Sequence, residues 1–336
     1  MKKISFFIGV DVSKSVLDVA IINGLEPNSF IHSQFKNTKN GISELLSWVK
    51  KNTSKNKEEL LFCMEHTGVY GLPLCSSLSE KQLNYTLFPA LEIKRSSGIQ
   101  RGKNDKSDSK MIARYAFLRK DTIRITKIPD KNLLLLRYLL THRERLLRCK
   151  VMFENSKEIE RFSDKEMAGM FQKETKTVIS FLNKKIEELN ARIEKVLKAD
   201  SIMARQYELI TSIPGIGLQI AANVIAYTQA FTCFDDPRKF SCYSGIAPFP
   251  YQSGSSIRGR TKVSPLANKK IKSLLSMSAL LVVRNDAEMK VYYNRKVGEG
   301  KNKMLVLNAI RNKVVQRIFA VVKRDTPFVP LAKHVA

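Results

Sequence analysis

Short apolar runs alternate with helical spacings through the first 120 or so residues. Residues 4–10 form an apolar run that stops at Asp11, 16–22 form a second, and 29–35 a third, each of strand length. Ile42, Leu45, Leu46 and Val49 recur at helical intervals, which predicts a helix over 41–50. Residues 60–64 read as a short buried strand ending at Glu65. The Thr67-Gly68 pair then turns the chain into a helix over 72–78, a strand follows at 85–89, and 107–118 reads as a helix.

From about 126 the texture changes. Residues 133–153 are a long leucine-rich helical stretch beginning soon after Pro129. Further on, Ile179, Leu182, Ile186, Leu189, Ile193 and Val196 alternate spacings of three and four, a heptad seam flanked by Lys and Glu. An amphipathic helix on a globular core and an oligomerising coiled coil both fit this seam; the lack of a third apolar face favours the coiled coil. The remainder is mostly helical with a glycine- and serine-rich loop in its middle. The expected fold class is therefore α/β plus α: an α/β domain over 1–125, a helical coiled-coil region over 126–200 and a mainly helical C-terminal domain over 201–336. Hairpin-linked strands followed by strand–helix alternation is the order of an RNase H-like domain. A doubly wound nucleotide-binding fold does not fit, because no glycine-rich phosphate loop follows the first strand.

Charge narrows the partner. Among 336 residues, 58 Lys plus Arg against 31 Asp plus Glu leave a net charge of +27, which points first to nucleic acid and second to an anionic membrane surface. No apolar run approaches the roughly 18 residues of a spanning helix, and the N-terminal run meets Asp11 too early for a signal-peptide core. The cysteines, Cys63, Cys75, Cys149, Cys233 and Cys242, are odd in number, scattered and without a CxxC pair. Reduced thiols in a cytoplasmic protein fit that pattern, and a zinc site does not.

In so basic a chain four acids stand out: Asp11, Glu65, Asp105 and Asp108. Each alone reads as a cap or a solvated turn residue. Together they fall at element boundaries of one α/β domain, and Asp105 and Asp108 are one helical turn apart. Gathered carboxylates repel unless a cation binds among them, and four such oxygen donors suit Mg²⁺ (or Mn²⁺), a setting for phosphodiester chemistry. Arg101 and Lys103, with Lys94, Arg95, Lys106 and Lys110, crowd the last pair and would attract phosphate. Ile213-Pro214-Gly215-Ile216-Gly217 reads as a helix-hairpin-helix turn whose Gly215 and Gly217 amides could meet a DNA phosphate, or as a plain Pro-Gly turn. Ser253 lies on an expected flexible turn, with Arg258, Arg260, Lys262, Lys269, Lys270 and Lys272 following and no acid among them. A serine beside guanidinium groups can attack a phosphodiester, although Ser-Gly-Ser-Ser is also ordinary linker composition.

IGVDVSK around Asp11, MEHTGVY around Glu65, KNDKSDSKMIARY around Asp105 and Asp108, IPGIG at 213–217 and GIAPFPYQSGSSIRG around Ser253 occur in this order. With them the chain resembles, over nearly its whole length, the DEDD-type insertion-sequence transposases related to the Piv/MooV DNA invertases. Insertion-sequence members of that family include bridge-RNA-guided recombinases. The resemblance implies an RNase H-like (RuvC-like) domain whose Asp11, Glu65, Asp105 and Asp108 bind the metal. It makes Ser253 the nucleophile of a covalent phosphoserine link, with Ser255 and Ser256 as alternatives that its place after Tyr-Gln and before Gly disfavours. It further implies double-stranded DNA and a guide (bridge) RNA as partners. A coiled-coil homo-oligomer, dimer or tetramer, would bring serine and tetrad together from different subunits, in the cytoplasm and away from membranes. Two other classes compete on the residues alone. One is a RuvC-like metal-dependent junction endonuclease in which water attacks and Ser253 is a loop residue; the other is a non-catalytic nucleic-acid-binding protein, against which the intact tetrad speaks.

Overall fold

The computed structural model describes residues 4–53, 56–66, 68–96, 105–126, 130–155, 164–253 and 257–330. The chain divides into two compact units, 1–128 and 129–336.

In the first unit β1 (Phe6–Val12), β2 (Val16–Asn23), β3 (Glu26–Lys36), β4 (Leu60–Glu65) and β5 (Asn84–Phe88) form one sheet in the order β3-β2-β1-β4-β5. The first three strands are an antiparallel meander, and β4 and β5 run parallel to β1. Among the described residues four α-helices accompany it: α1 (Lys39–Asn52), α2 (Leu72–Glu80), α3 (Ala90–Ser96) and α4 (Asp105–Leu118). Asp11 lies inside β1 rather than after it, because the ladder to β2 continues to Val12 paired with Leu17.

Strand alternation sorts the side chains between two cores. Ile8, Val10 and Met64 meet Leu45 and Val49 of α1 and Leu74 and Leu78 of α2 on one face. Phe7, Leu61 and Cys63 meet Ile93 of α3 and Ile112, Tyr115 and Ala116 of α4 on the other. The second face depends on Gly9. A Cβ there would stand 2.2 Å from the Ser109 carbonyl oxygen and 2.4 Å from the Ala113 nitrogen, so only glycine lets the backbone of α4 lie this close to β1. Two residues earlier in the strand, the Phe7 and Phe117 rings meet edge to face at 5.5 Å. The helix thus runs antiparallel to β1, and its N-terminus arrives where Asp11 leaves the core.

The second unit is a helical core with one hairpin. Helices α5 (Lys131–Asn155) and α6 (Lys165–Ala199) pack together. Leu133, Leu136 and Leu140 share a core with Ile193 and Leu197, and Arg143 donates to Asn190 at 2.7 Å, so the pair is antiparallel. The heptad seam finds its partner here: Leu182, Ile186, Leu189, Ile193 and Leu197 are buried within this single chain, and Val196 is only half-buried. The same core takes in α7 (Ser201–Thr211), α8 (Leu218–Thr228), α10 (Lys269–Asn285) and α12 (Lys303–Arg324), so the stretches 126–200 and 201–336 are not separately cored. Helices α9 (Pro237–Tyr243) and α11 (Ala287–Gly298) are the others among the described residues. No described helix is long and apolar enough to cross a membrane.

Candidate active site

The sheet places the acids by register. On β1, Phe7, Gly9 and Asp11 alternate onto the α4 face, and on β4 Leu61, Cys63 and Glu65 do the same. Val10 pairs with Met64, so Asp11 and Glu65 are the next step of two parallel neighbours, at their carboxyl ends. Asp105 opens α4 and Asp108 follows in its first turn, one turn ahead of the sheet-packed Ile112. Three elements therefore bring Asp11, Glu65 and Asp108 to one end of one face, each half-buried. The N-terminus of a helix, with its partial positive charge, favours carboxylates there.

The donors are all carboxylates, the hard oxygen set that suits Mg²⁺ or Mn²⁺. Among the described residues no group of three or more His, Cys, Asp or Glu side chains is gathered closely enough to hold a metal ion. Donor type and shared face fit the ion, while a closed cage is not preformed among them.

Sequence reading missed one carboxylate in the same row. Asp18 lies opposite Asp11 in the β1–β2 ladder and opposite Gln34 in the β2–β3 ladder. It is only 6 % exposed, accepts from the Gln34 amide at 3.2 Å, and lies 3.1 Å from His32 Nε2. A charged residue in the middle of the apolar run Val-Leu-Asp-Val-Ala-Ile-Ile was the signal, since a buried charge needs partners. Beyond His32 on the same face, Lys110 of α4 sits 3.5 Å above the Phe30 ring. Loss of hydration there, and then the neighbouring Lys106, push its ammonium below the usual lysine range.

Ser253 belongs to the second unit and sits on a strand rather than a loop. β6 (Pro248–Ser253) and β7 (Ile257–Val263) form an antiparallel two-stranded hairpin in which Ser253 pairs with Ile257, the last rung before the turn. Phe249, Tyr251, Ile257, Thr261 and Val263 supply the aromatic and β-branched residues that favour strands, a signal the surrounding glycines and serines masked. Ser255 and Ser256 lie outside the described residues.

The stem of the hairpin is tightly held. Gly245, at φ +65°, faces Ala267 so closely that a Cβ would stand 2.3 Å from the alanine methyl. Asn268 donates to the Tyr243 hydroxyl at 2.8 Å, and its backbone N–H to the Tyr243 carbonyl at 2.8 Å. From α12, the amides of Asn308 and Asn312 both donate to the Ile246 carbonyl, at 2.9 and 3.0 Å. The serine is thus carried at the far end of a ribbon whose base is fixed.

The cations expected to meet phosphate divide. Arg260 and Lys262 are exposed on β7, Arg258 pairs in register with Gln252, and Lys269 is exposed at the start of α10. Lys270 is engaged instead: its ammonium lies 2.8 Å from Glu144, pinning α10 to α5. Gly215 is also structural. At φ +82° it packs on α10, where a Cβ would stand 2.8 Å from the Val282 nitrogen, so it closes the 213–217 turn onto the core. Gly217 is exposed and caps α8 with open space beside it. Arg101 and Lys103 lie outside the described residues.

Comparison with known proteins agrees with both units. The transposase family model DEDD_Tnp_IS110 matches residues 8–158, and the model described as transposase of the IS116/IS110/IS902 family matches residues 207–294. A pilin gene-inverting protein of Moraxella bovis is 26% identical over 327 residues, covering 96% of this chain and 97% of its own. Its counterpart from Moraxella lacunata is equally similar over the same span. An uncharacterized 43.6 kDa protein of insertion element IS110 from Streptomyces coelicolor is 27% identical over 138 residues, 41% of this chain and 33% of that protein. With matches of one kind on each unit and similarity running almost end to end, the chain belongs to the DEDD-type insertion-sequence transposases of the IS110 family, enzymes of DNA recombination.

Proposed function

We propose that this transposase breaks and rejoins DNA through Ser253, assisted by the carboxylate end of its first unit. The observation that carries the reading is the placement of Asp11, Glu65 and Asp108 at the same end of one sheet face, beside the first turn of α4, in a chain of net charge +27. The strand order β3-β2-β1-β4-β5, with β2 antiparallel to the rest, supports an RNase H-like, RuvC-like first unit.

Ser253 Oγ attacks the scissile phosphorus. A serine–phosphate bond forms as the phosphorus bond to the departing strand breaks; the serine proton is released and the departing oxygen takes one up as a hydroxyl. An incoming strand hydroxyl then attacks the phosphoserine, joins DNA to DNA and returns Ser253 to its free form. Arg258, Arg260 and Lys262 on β7 supply positive charge beside that exchange. Asp11, Glu65, Asp108 and Asp105 would hold a divalent ion, which when bound stabilises charge on the phosphoryl oxygens and acidifies an attached hydroxyl or water.

Double-stranded DNA is the substrate in this reading, a guide RNA is the second polyanion, and the reaction is cytoplasmic. Met152, Met170 and Phe171, exposed by 72%, 66% and 56% on α5 and α6, support a homo-oligomer that covers them.

The competing reading, a hydrolytic junction nuclease, differs in one product. A nicked substrate should trap a covalent protein–DNA adduct in the wild type, and Ser253→Ala should lose both adduct and recombination, the latter by at least about 1,000-fold. Survival of both in Ser253→Ala overturns the serine mechanism, and cleavage without any wild-type adduct favours water as the nucleophile. Asp11→Asn should lose activity while retaining DNA binding. Efficient recombination by protein stripped of RNA would count against guidance.

A further inference from the structure

The junction of α11 and α12 carries a cavity of about 570 Å³, lined by Tyr292, Lys301, Asn302, Leu305, Val306 and Ala309 among others. That is within the roughly 300–1,000 Å³ of small-molecule pockets and far more room than a phosphate needs. Its lining is mixed: Tyr292, Leu305, Val306 and Ala309 supply the apolar part, and Lys296, Lys301 and Asn302 the polar part. Leu305 is exposed by 69%. The surroundings are strongly basic. Residues 287–313 hold seven Lys and Arg against two Glu, and both glutamates are taken, Glu288 by Arg317 and Glu299 by Lys296. Among the described residues Lys290, Arg295, Lys301, Lys303 and Lys313 have no carboxylate partner. Two of them lie against the same ring, Lys313 Nζ at 4.9 Å and Arg295 Cζ at 5.8 Å from the Tyr292 centroid.

A half-apolar pocket with one aromatic ring and an excess of cations beside it suits one class of ligand. Duplex DNA offers phosphates to the collar but keeps its bases stacked and out of reach. A protein segment suited to the apolar part of the lining would need acidic flanks to satisfy Lys301 and the two cations on Tyr292. An unpaired nucleotide supplies both features, a π-face for Tyr292 and Leu305 and phosphates on either side for the lysines. The geometry points to a subsite for an unpaired nucleotide at Tyr292, remote in sequence from the carboxylates and from Ser253, in a strand of RNA or DNA that the enzyme holds open. This rests on the nucleic-acid reading above and adds to it the part of the ligand that is single-stranded.

The test uses the full chain and labelled oligonucleotides: a single-stranded RNA, a single-stranded DNA of the same sequence, and its duplex, followed by fluorescence anisotropy. Tyr292→Ala should weaken single-strand binding roughly tenfold and leave duplex binding within twofold, while Tyr292→Phe, which keeps the ring, should match wild type. A larger effect on the RNA strand assigns the site to RNA, and on the DNA strand to DNA; either supports the subsite. Photocrosslinking wild-type protein to a strand carrying 4-thiothymidine or 4-thiouridine should place adducts on the 291–305 peptide. Unchanged single-strand affinity in Tyr292→Ala with adducts confined elsewhere overturns the subsite alone. An equal loss for duplex and single strands also overturns it. Failure of wild type to bind any of the three strands overturns the nucleic-acid reading beneath it.

Discussion

Both regions of the proposed chemistry rest on a glycine, yet the two glycines do different work. Gly9 lets a whole helix lie on a five-stranded sheet with a core on each side. Gly245 only closes the stem of a two-stranded ribbon, and beyond it Tyr251, Gln252, Arg260 and Lys262 are exposed. A lone two-stranded hairpin is marginally stable in water. The carboxylates are therefore placed on a sheet backed by two cores, whereas Ser253 is placed on a ribbon held at its base. In the proposed mechanism this division would set the carboxylates on the firmer frame and the serine on the lighter one.

The comparison breaks most severely at Gly9. Gly9→Ala drives a methyl into the Ser109 carbonyl and the Ala113 nitrogen, backbone atoms that can yield only if α4 shifts. The expected cost is about 3 kcal/mol, the upper end for overpacking a well-packed core, measured as a lowered midpoint in chemical denaturation. Because α4 carries Asp105 and Asp108, recombination should collapse as well. The same substitution at Gly245 meets one methyl and a left-handed backbone, and should cost about 2 kcal/mol. Its signature is local: amide exchange across 248–263 should accelerate while the sheet of the first unit keeps its protection. If Gly245→Ala loosens the first unit as much as Gly9→Ala does, the division proposed here is wrong.

The two regions also differ in how far the sequence exposes them. The apolar runs 4–10 and 60–64 marked two strands and placed Asp11 and Glu65 at their ends, but a continuous run does not say that Phe7 and Ile8 face different cores. Such runs carry no register either, and register is what sets Asp18 opposite Asp11 and Gln34 opposite Asp18. The hairpin was hidden for a different reason. Gly254, Ser255 and Ser256 satisfy a turn and a linker equally, and Phe249, Tyr251 and Val263 read as strand only once they are paired. The heptad seam was visible, but its spacing holds no information on whether the partner helix is another chain or α5. Likewise charge counting treated Lys270 and Lys269 alike, although only Lys270 lies within reach of Glu144.

A smaller effect sharpens the serine side. Asn308 and Asn312 hold the Ile246 carbonyl immediately before β6. Either alanine substitution removes one of two donors and should cost about 1 kcal/mol, while the pair leaves that carbonyl unsatisfied and should cost about 2 kcal/mol. The informative quantity is the ratio of the two readouts. If the clamp aims the ribbon, adduct formation on a nicked substrate should fall more steeply than the stability loss accounts for under conditions where the protein stays folded. A clamp that merely stabilises would leave adduct formation by the folded fraction unchanged.

The smallest effect tests whether Lys270 belongs to the helical core or to the DNA. Burial of Glu144 works to raise its carboxyl, but hydrogen bonds from Lys270 and Arg148 outweigh it and hold the group below the usual carboxylate range. A depressed folded value means the pair stabilises the protein above the ordinary pKa of about 4.3 and loses that contribution as pH falls through the folded value. The side chains of Lys270 and Glu144 are 25% and 30% exposed, so solvent screening limits the contribution to about 0.5 kcal/mol. Glu144→Gln should lower stability by that amount at pH 7 and erase the difference from wild type near pH 3, followed by denaturation at both values. Duplex binding should at the same time strengthen slightly at low salt, because the variant releases a cation that wild type spends on α5. If binding instead weakens in Glu144→Gln while stability is unmoved, Lys270 contacts phosphate in the wild type and the pin between α10 and α5 is not what holds it.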